Sequence, residues 1–169
     1  MKLRYSIALS LALPSAATMA AELALKLDVP QLNVAEYHRP YIAAWLENAD
    51  QKVVANLAVL YDVKKRDNGG AKYLKDMRQW WRKAGRELNL PMDGVSGATR
   101  APGEQGIAVD KAALDKLPAG QYTLLVEAAR EAGGREVVKL PLQLPVKAAQ
   151  TLTAKGKEEL GVVTVQVKP

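Results

Sequence analysis

At 169 residues, 49% of them apolar, the chain has enough material for one ordinary domain with its own core. It contains no cysteine, which excludes disulfides, cysteine-ligated iron–sulfur clusters, thioether-linked haem and a thiol nucleophile, and its single histidine, His38, excludes a multi-histidine metal centre. The formal charge of +6 admits a phosphate-bearing ligand, but acids interleave with the bases at Lys64-Lys65-Arg66-Asp67, Arg130-Glu131 and Arg135-Glu136, the pattern of a solvated surface.

The N-terminus reads as an export signal. Lys2 and Arg4 precede a short apolar run over residues 5–13, and Pro14 to Ala20 offers the small residues a signal peptidase reads, with cleavage expected after Ala20 or, failing that, after Ala17. The run falls short of the ~18 apolar residues that span a bilayer. Residues 1–20 are therefore expected to be removed, leaving 21–169 as a single domain in the periplasm. Loss of Lys2 and Arg4 lowers the formal charge from +6 to +4. Export argues against nucleic acid as a partner, and the lack of any other segment approaching ~18 consecutive apolar residues argues against an integral membrane protein.

Strand-like alternation then recurs along the chain. Leu23, Leu25, Leu27 and Val29 share one face of residues 23–29, and runs at 41–46 and 53–61 flank the hairpin connection 47–52. Over residues 72–84 the period changes: Tyr73, Met77, Trp80, Trp81 and Ala84 recur at helical spacing, with Gly85 placed to cap the C-terminus. Residues 88–106 are rich in turn formers and are expected to form a long ordered loop, the kind of segment in which function concentrates. Further strands are expected at 121–129 after the Pro118-Ala119-Gly120 turn, at 136–144 after Gly133-Gly134, and at 161–168; Pro141 marks the second of these as an edge strand or a bulge. The sum is an all-β, antiparallel, immunoglobulin-like sandwich of about seven strands, with one inserted α-helix and one long functional loop.

That loop contains Asp93-Gly94-Val95-Ser96-Gly97-Ala98-Thr99. The segment resembles the Asp-x-x-(Ser/Thr)-Gly-Ala-Thr motif of bacterial proteins modified by the FAD:protein FMN transferase. At average residue usage its five defined positions coincide by chance in roughly one in several thousand chains of this length. The resemblance implies that Thr99 accepts FMN through a phosphoester and that Asp93, Ser96, Gly97 and Ala98 are read by the transferase. The residue types suit that chemistry. A hydroxyl must reach a phosphorus atom, Gly94 and Gly97 free the backbone, amides beside Gly97 and Ala98 can cradle an anion, and Arg100 can pair with a phosphate. Arg100-Ala101-Pro102 stands where the flavin domains of respiratory complexes carry a further hydroxyl residue, so the resemblance to those domains covers the motif alone. A wider resemblance, carried by Val29-Pro30-Gln31, residues 36–41, residues 76–81 and the motif, is to a bacterial family of predicted periplasmic proteins of unknown function. Its members are similar to proteins encoded beside the flavin transferase and PepSY-type membrane reductases, which implies those two as partners and extracytosolic electron transfer as the role.

Among the remaining candidates, Trp80 and Trp81 precede the motif. Adjacent helical residues point about 100° apart, so one is expected in the core and the other at a site rim, where it can stack on the flavin ring. Tyr37, His38, Arg39 and Tyr41 form the densest polar-aromatic cluster, in which His38 is expected to be structural or superficial. Met77 and Met92 are expected to pack rather than ligate, and Glu158-Glu159 to be solvated. Two functions follow. One is an exported FMN protein that carries electrons and is a transferase's substrate more than an enzyme. The alternative is a cofactor-free adaptor module, since residues 117–122 resemble immunoglobulin-like adaptor domains of bacterial envelopes.

Overall fold

A computed structural model describes residues 22–169; the export signal expected over 1–20 lies outside the described residues. Among the described residues nine strands make up two sheets: β1 (Glu22–Val29), β2 (Tyr41–Asn48), β3 (Val53–Tyr61), β4 (Ser96–Ala98), β5 (Gly103–Ile107), β6 (Gly120–Ala129), β7 (Arg135–Leu144), β8 (Gln150–Lys155) and β9 (Val162–Lys168). The sheets run in the orders β5-β1-β9-β8 and β4-β3-β2-β6-β7. The alternation on β1 buries Leu23, Leu25, Leu27 and Val29 between the sheets against Val163, Val165 and Val167 of β9 and the inner residues of β2, β6 and β7. The segment β3-β2-β6-β7 has the C′-C-F-G order of an immunoglobulin sheet. Tyr122 at the start of β6 donates its hydroxyl to the Pro118 carbonyl at 2.6 Å, the tyrosine corner of that fold. No helix among the described residues is long and apolar enough to cross a membrane.

The five-stranded sheet is covered on both faces, which is why β2 reads as an unbroken apolar run rather than an alternation. Ile42, Ala44 and Leu46 face the sandwich core, whereas Ala43 and Trp45 join Val59, Tyr61 and Leu125 under a helical layer that contributes Leu74, Met77 and Trp80. The single helix expected over 72–84 is broken into a 3-10 turn (Ala71–Asp76), helix α1 (Arg78–Lys83) and a second 3-10 turn (Gly85–Glu87). The cause lies on another strand. Glu127 of β6, 0% exposed, accepts the backbone N–H groups of Gln79 (3.1 Å) and Trp80 (2.7 Å), which a continuous helix would have bonded to its own preceding carbonyls. Gly85 is likewise no left-handed cap. It is buried against the Trp80 indole, and a Cβ there would lie 2.5 Å from the ring.

Other expectations are corrected at the edges. The segment 88–106 is not a loop throughout: β4 pairs with β3, the one parallel pairing among the described residues, and β5 pairs antiparallel with β1. Parallel pairing follows from the helical layer, which carries the chain back across the sheet before β4 begins. β8 was not expected, whereas β7 is an edge strand, with Pro141 opposite Thr123. A short helix α2 (Ala112–Asp115) links β5 to β6. Two of the charges read as solvated are buried. Arg130 and Glu159 form a two-point ion pair (Nε–Oε2 2.8 Å, Nη2–Oε1 3.0 Å), and Glu159 also accepts the Gly134 N–H; Glu131 and Glu158 are exposed. Burial pushes the Glu136 carboxyl up. The backbone N–H groups of Glu158, Lys157, Leu160 and Glu159 outweigh this, and its pKa settles below the ordinary carboxylate value.

Two outcomes test these contacts. Glu127→Ala should lower stability by about 3 kcal/mol, as a lower urea midpoint at unchanged slope. Arg135→Ala should cost less, about 1.5 kcal/mol, because the lost guanidinium (2.7 Å from Glu127) is 38% exposed and two backbone N–H groups still compensate the buried carboxylate; equal losses would reduce Glu127 to an ion-pair partner. Because the Glu136 pKa is depressed in the folded state, its contribution is complete above the unfolded carboxylate value of about 4.3 and is lost as pH falls through the folded one. The urea midpoint should therefore fall between about pH 7 and about pH 3.5 by less in Glu136→Gln than in the parent.

Candidate functional site

The chain leaves the helical layer through Leu88 and Leu90 and reverses at Asp93 and Gly94. Gly94 has φ +70°, a conformation that glycine adopts without a Cβ penalty. Ser96 closes the reversal twice: its Oγ accepts the Met92 N–H at 2.9 Å and its own N–H donates to the Met92 carbonyl at 2.8 Å. The Val95 carbonyl then accepts the Val59 N–H at 2.8 Å, and Ser96, Gly97 and Ala98 lie in register with Val59, Leu60 and Tyr61. A Cβ on Gly97 would stand 3.0 Å from Leu60 Cδ2, so glycine here lets the short strand sit close against β3. Burial pushes the Tyr61 phenol up, and a hydrogen bond with the Ser96 side chain partly offsets this.

Residues 99–102 then cross from one sheet to the other, reaching β5 at Gly103 (φ +105°) opposite Val29. Thr99 and Arg100 are both half-buried; Asp93 and Ala98 are exposed. Arg100 makes no ion pair among the described residues, and its Nε is buried without a hydrogen-bond partner.

The strand register places other candidates at this same end of the sandwich. Val29, Tyr41, Tyr61, Ala98, Gly103 and Ala129 all terminate or begin strands there, so the connection 30–40 lies at the end that carries Thr99. His38 Nε2 meets Glu36 Oε1 at 3.2 Å, a surface contact. The Tyr37 hydroxyl is buried without a partner. Burial pushes its pKa up, against the pull of Arg130 and Arg39. Tyr37 Oη and Arg100 Nε are the two buried side-chain polar atoms left unpaired among the described residues. The sequence marks Arg100 by its place after Thr99 and Tyr37 by its polar-aromatic cluster, but that both lack a partner depends on packing.

The two tryptophans part company. Trp80 is 0% exposed and donates its indole N–H to Asn56 Oδ1 at 2.8 Å, so it offers no face to a ligand. Trp81, its ring 6.3 Å from that of Trp80, forms a wall of a cavity of about 280 Å³ with Ala71, Leu88 and Leu90, and Asn68 and Asn89 also line it. Met77 is in the core and Met92 is half-buried at the reversal. A larger, polar cavity of about 420 Å³, lined by Glu47, Gln51, Lys83 and Lys139, lies toward the opposite end, at the β2–β3 hairpin.

Fold and site together define an immunoglobulin-like sandwich whose candidate acceptor threonine stands at the corner where the chain changes sheets. A family model described as "Predicted periplasmic protein (DUF2271)" matches residues 22–162, and the chain belongs to that family. The family's description carries the periplasmic location expected from the N-terminal residues. No curated protein and no solved structure matches the chain.

Structural and recognition roles within the motif separate by stability. Gly94→Ala, forced into a left-handed backbone, should cost about 1 kcal/mol. Asp93→Ala, at an exposed position of the same turn, should stay within about 0.5 kcal/mol of the parent in a thermal melt; a comparable loss in both would make Asp93 part of the turn's framework.

Proposed function

We propose that the protein is an exported flavoprotein that carries FMN on Thr99 Oγ and acts as an extracytosolic electron carrier. The observation that carries this reading is Arg100. Its Nε is buried, unpaired and without a counter-ion, and the residue directly follows the motif's threonine, so a phosphate tethered there would meet a guanidinium in want of an acceptor. The rest of the motif supports it. Ser96 and Gly97 hold the strand against β3, Asp93 and Ala98 remain exposed for recognition, and Thr99 lies just past the strand end rather than within the ladder.

In the attachment, a bond forms between Thr99 Oγ and the FMN phosphorus of FAD while the diphosphate P–O bond breaks. AMP departs with the bridging oxygen, and the hydroxyl proton passes to a base of the transferase. Bound flavin supplies one- and two-electron redox chemistry, and this chain supplies tether, orientation and environment. Arg100 neutralises the phosphate. The edge position of β4 leaves one side of its backbone accessible to the FAD:protein FMN transferase. A PepSY-type membrane reductase is the electron donor on this reading.

The test is intact mass after export from a host that expresses the transferase and a known acceptor protein. The parent should gain one FMN less water and turn yellow, Thr99→Ala should do neither, and Arg100→Ala should be modified more slowly. An unmodified parent beside a modified control acceptor would sink the reading and leave a cofactor-free adaptor module.

A further inference from the structure

The cavity beside Trp81 has the shape of a site without an assigned occupant. Its volume of about 280 Å³ falls just below the ~300–1,000 Å³ of pockets that take a whole drug-sized ligand. That suits one flat ring system better than a complete nucleotide. Its lining is of two kinds. Trp81, Leu88, Leu90 and Ala71 provide aromatic and aliphatic surface, and Asn68 and Asn89 provide side-chain amides that both donate and accept. Asn68 has φ +53° and follows Asp67 at φ +55°, a left-handed pair of the residue types that adopt this region most readily, and the turn brings Asn68 to the cavity rim.

Chain continuity links this cavity to the motif. Leu88 and Leu90 lead directly into Met92, which Ser96 holds on the far side of the reversal, and Thr99 follows Ser96 by three residues. Val95, inside the motif, packs in the same apolar cluster as Trp81, Leu88 and Leu90. The cavity and the start of the motif thus share the apolar layer over the outer face of the five-stranded sheet, and Thr99 follows at the end of β4. From this we infer that the cavity walled by Trp81 is the docking site for the isoalloxazine ring of the flavin tethered at Thr99, with Trp81 packing on the ring and Asn68 and Asn89 serving its polar pyrimidine edge. The inference rests on the flavin reading. It adds where the ring lies and which residues set its environment, in a part of the chain that the motif does not contain.

An indole packed on a flavin quenches its emission and restrains its motion. In protein loaded by the transferase, with one FMN per chain confirmed by mass, Trp81→Leu should raise flavin fluorescence several-fold and lower its anisotropy. Ala71→Leu, which fills the cavity and leaves Trp81 in place, should do the same and guards against a Trp81 variant that folds poorly. Unchanged emission and anisotropy in both loaded variants would overturn the assignment. If no flavin attaches at all, the Thr99 reading fails separately, and the cavity is then judged by titrating Thr99→Ala protein with riboflavin, which lacks the phosphate. Saturable quenching of tryptophan emission that disappears in the Thr99→Ala, Trp81→Leu double variant supports the ring site; its absence overturns it.

Discussion

The Glu127 carboxylate is the contact on which the arrangement of the chain most depends. It is fully buried on the outer face of the five-stranded sheet, takes two backbone N–H groups at the start of α1, and is neutralised by Arg135. A buried charge without such partners costs several kcal/mol, so the helix start has little freedom to sit elsewhere. That single anchor orients α1. The Trp80 indole then reaches Asn56 of β3, and Lys83 reaches Glu47 of β2 at 2.8 Å. Glu47 in turn accepts the Trp45 indole N–H, so the layer is tied to the sheet through buried polar contacts as well as apolar packing.

The docked layer determines where the chain re-emerges, and so where the motif lies. Because Gly85 lets the second 3-10 turn close onto the Trp80 ring, the following residues return along β3 rather than across the open sheet. The reversal at Asp93-Gly94 then delivers Ser96 to Val59 in parallel register. Within the motif the residues divide between two tasks. Gly94, Ser96 and Gly97 build the turn and the close strand pairing, while on the proposed reading Asp93, Ala98 and Thr99 keep surface for another molecule to meet.

Much of this was legible in the amino-acid order where the rule is local. The alternation on β1 and the Pro118-Ala119-Gly120 turn before β6 follow from residues that neighbour one another, and so did the sandwich. What escaped was long-range. The break in the helix at Met77 is caused by a carboxylate on β6, and the burial of Glu159 is caused by Arg130 across the sandwich. β4, β5 and β8 are short edge strands with few buried residues, so they carry almost none of the periodic signal that marks the central strands. The motif could be picked out by its residue types. The unpaired donors Arg100 Nε and Tyr37 Oη, and the separation of Trp81 from Trp80, depend on packing and appear only in three dimensions.

The parallel pairing of β4 with β3 also has a kinetic side. The pairing of Val59 with Ser96 closes the loop that contains the helical layer for just three ladder positions, whereas the longer-range pairing of β2 with β6 gains eight. A strand held at a sheet edge by so few positions depends on the scaffold beneath it rather than helping to nucleate it. The conformation of β4 thus reports a completed domain, so any molecule that reads it meets only chains that have finished folding.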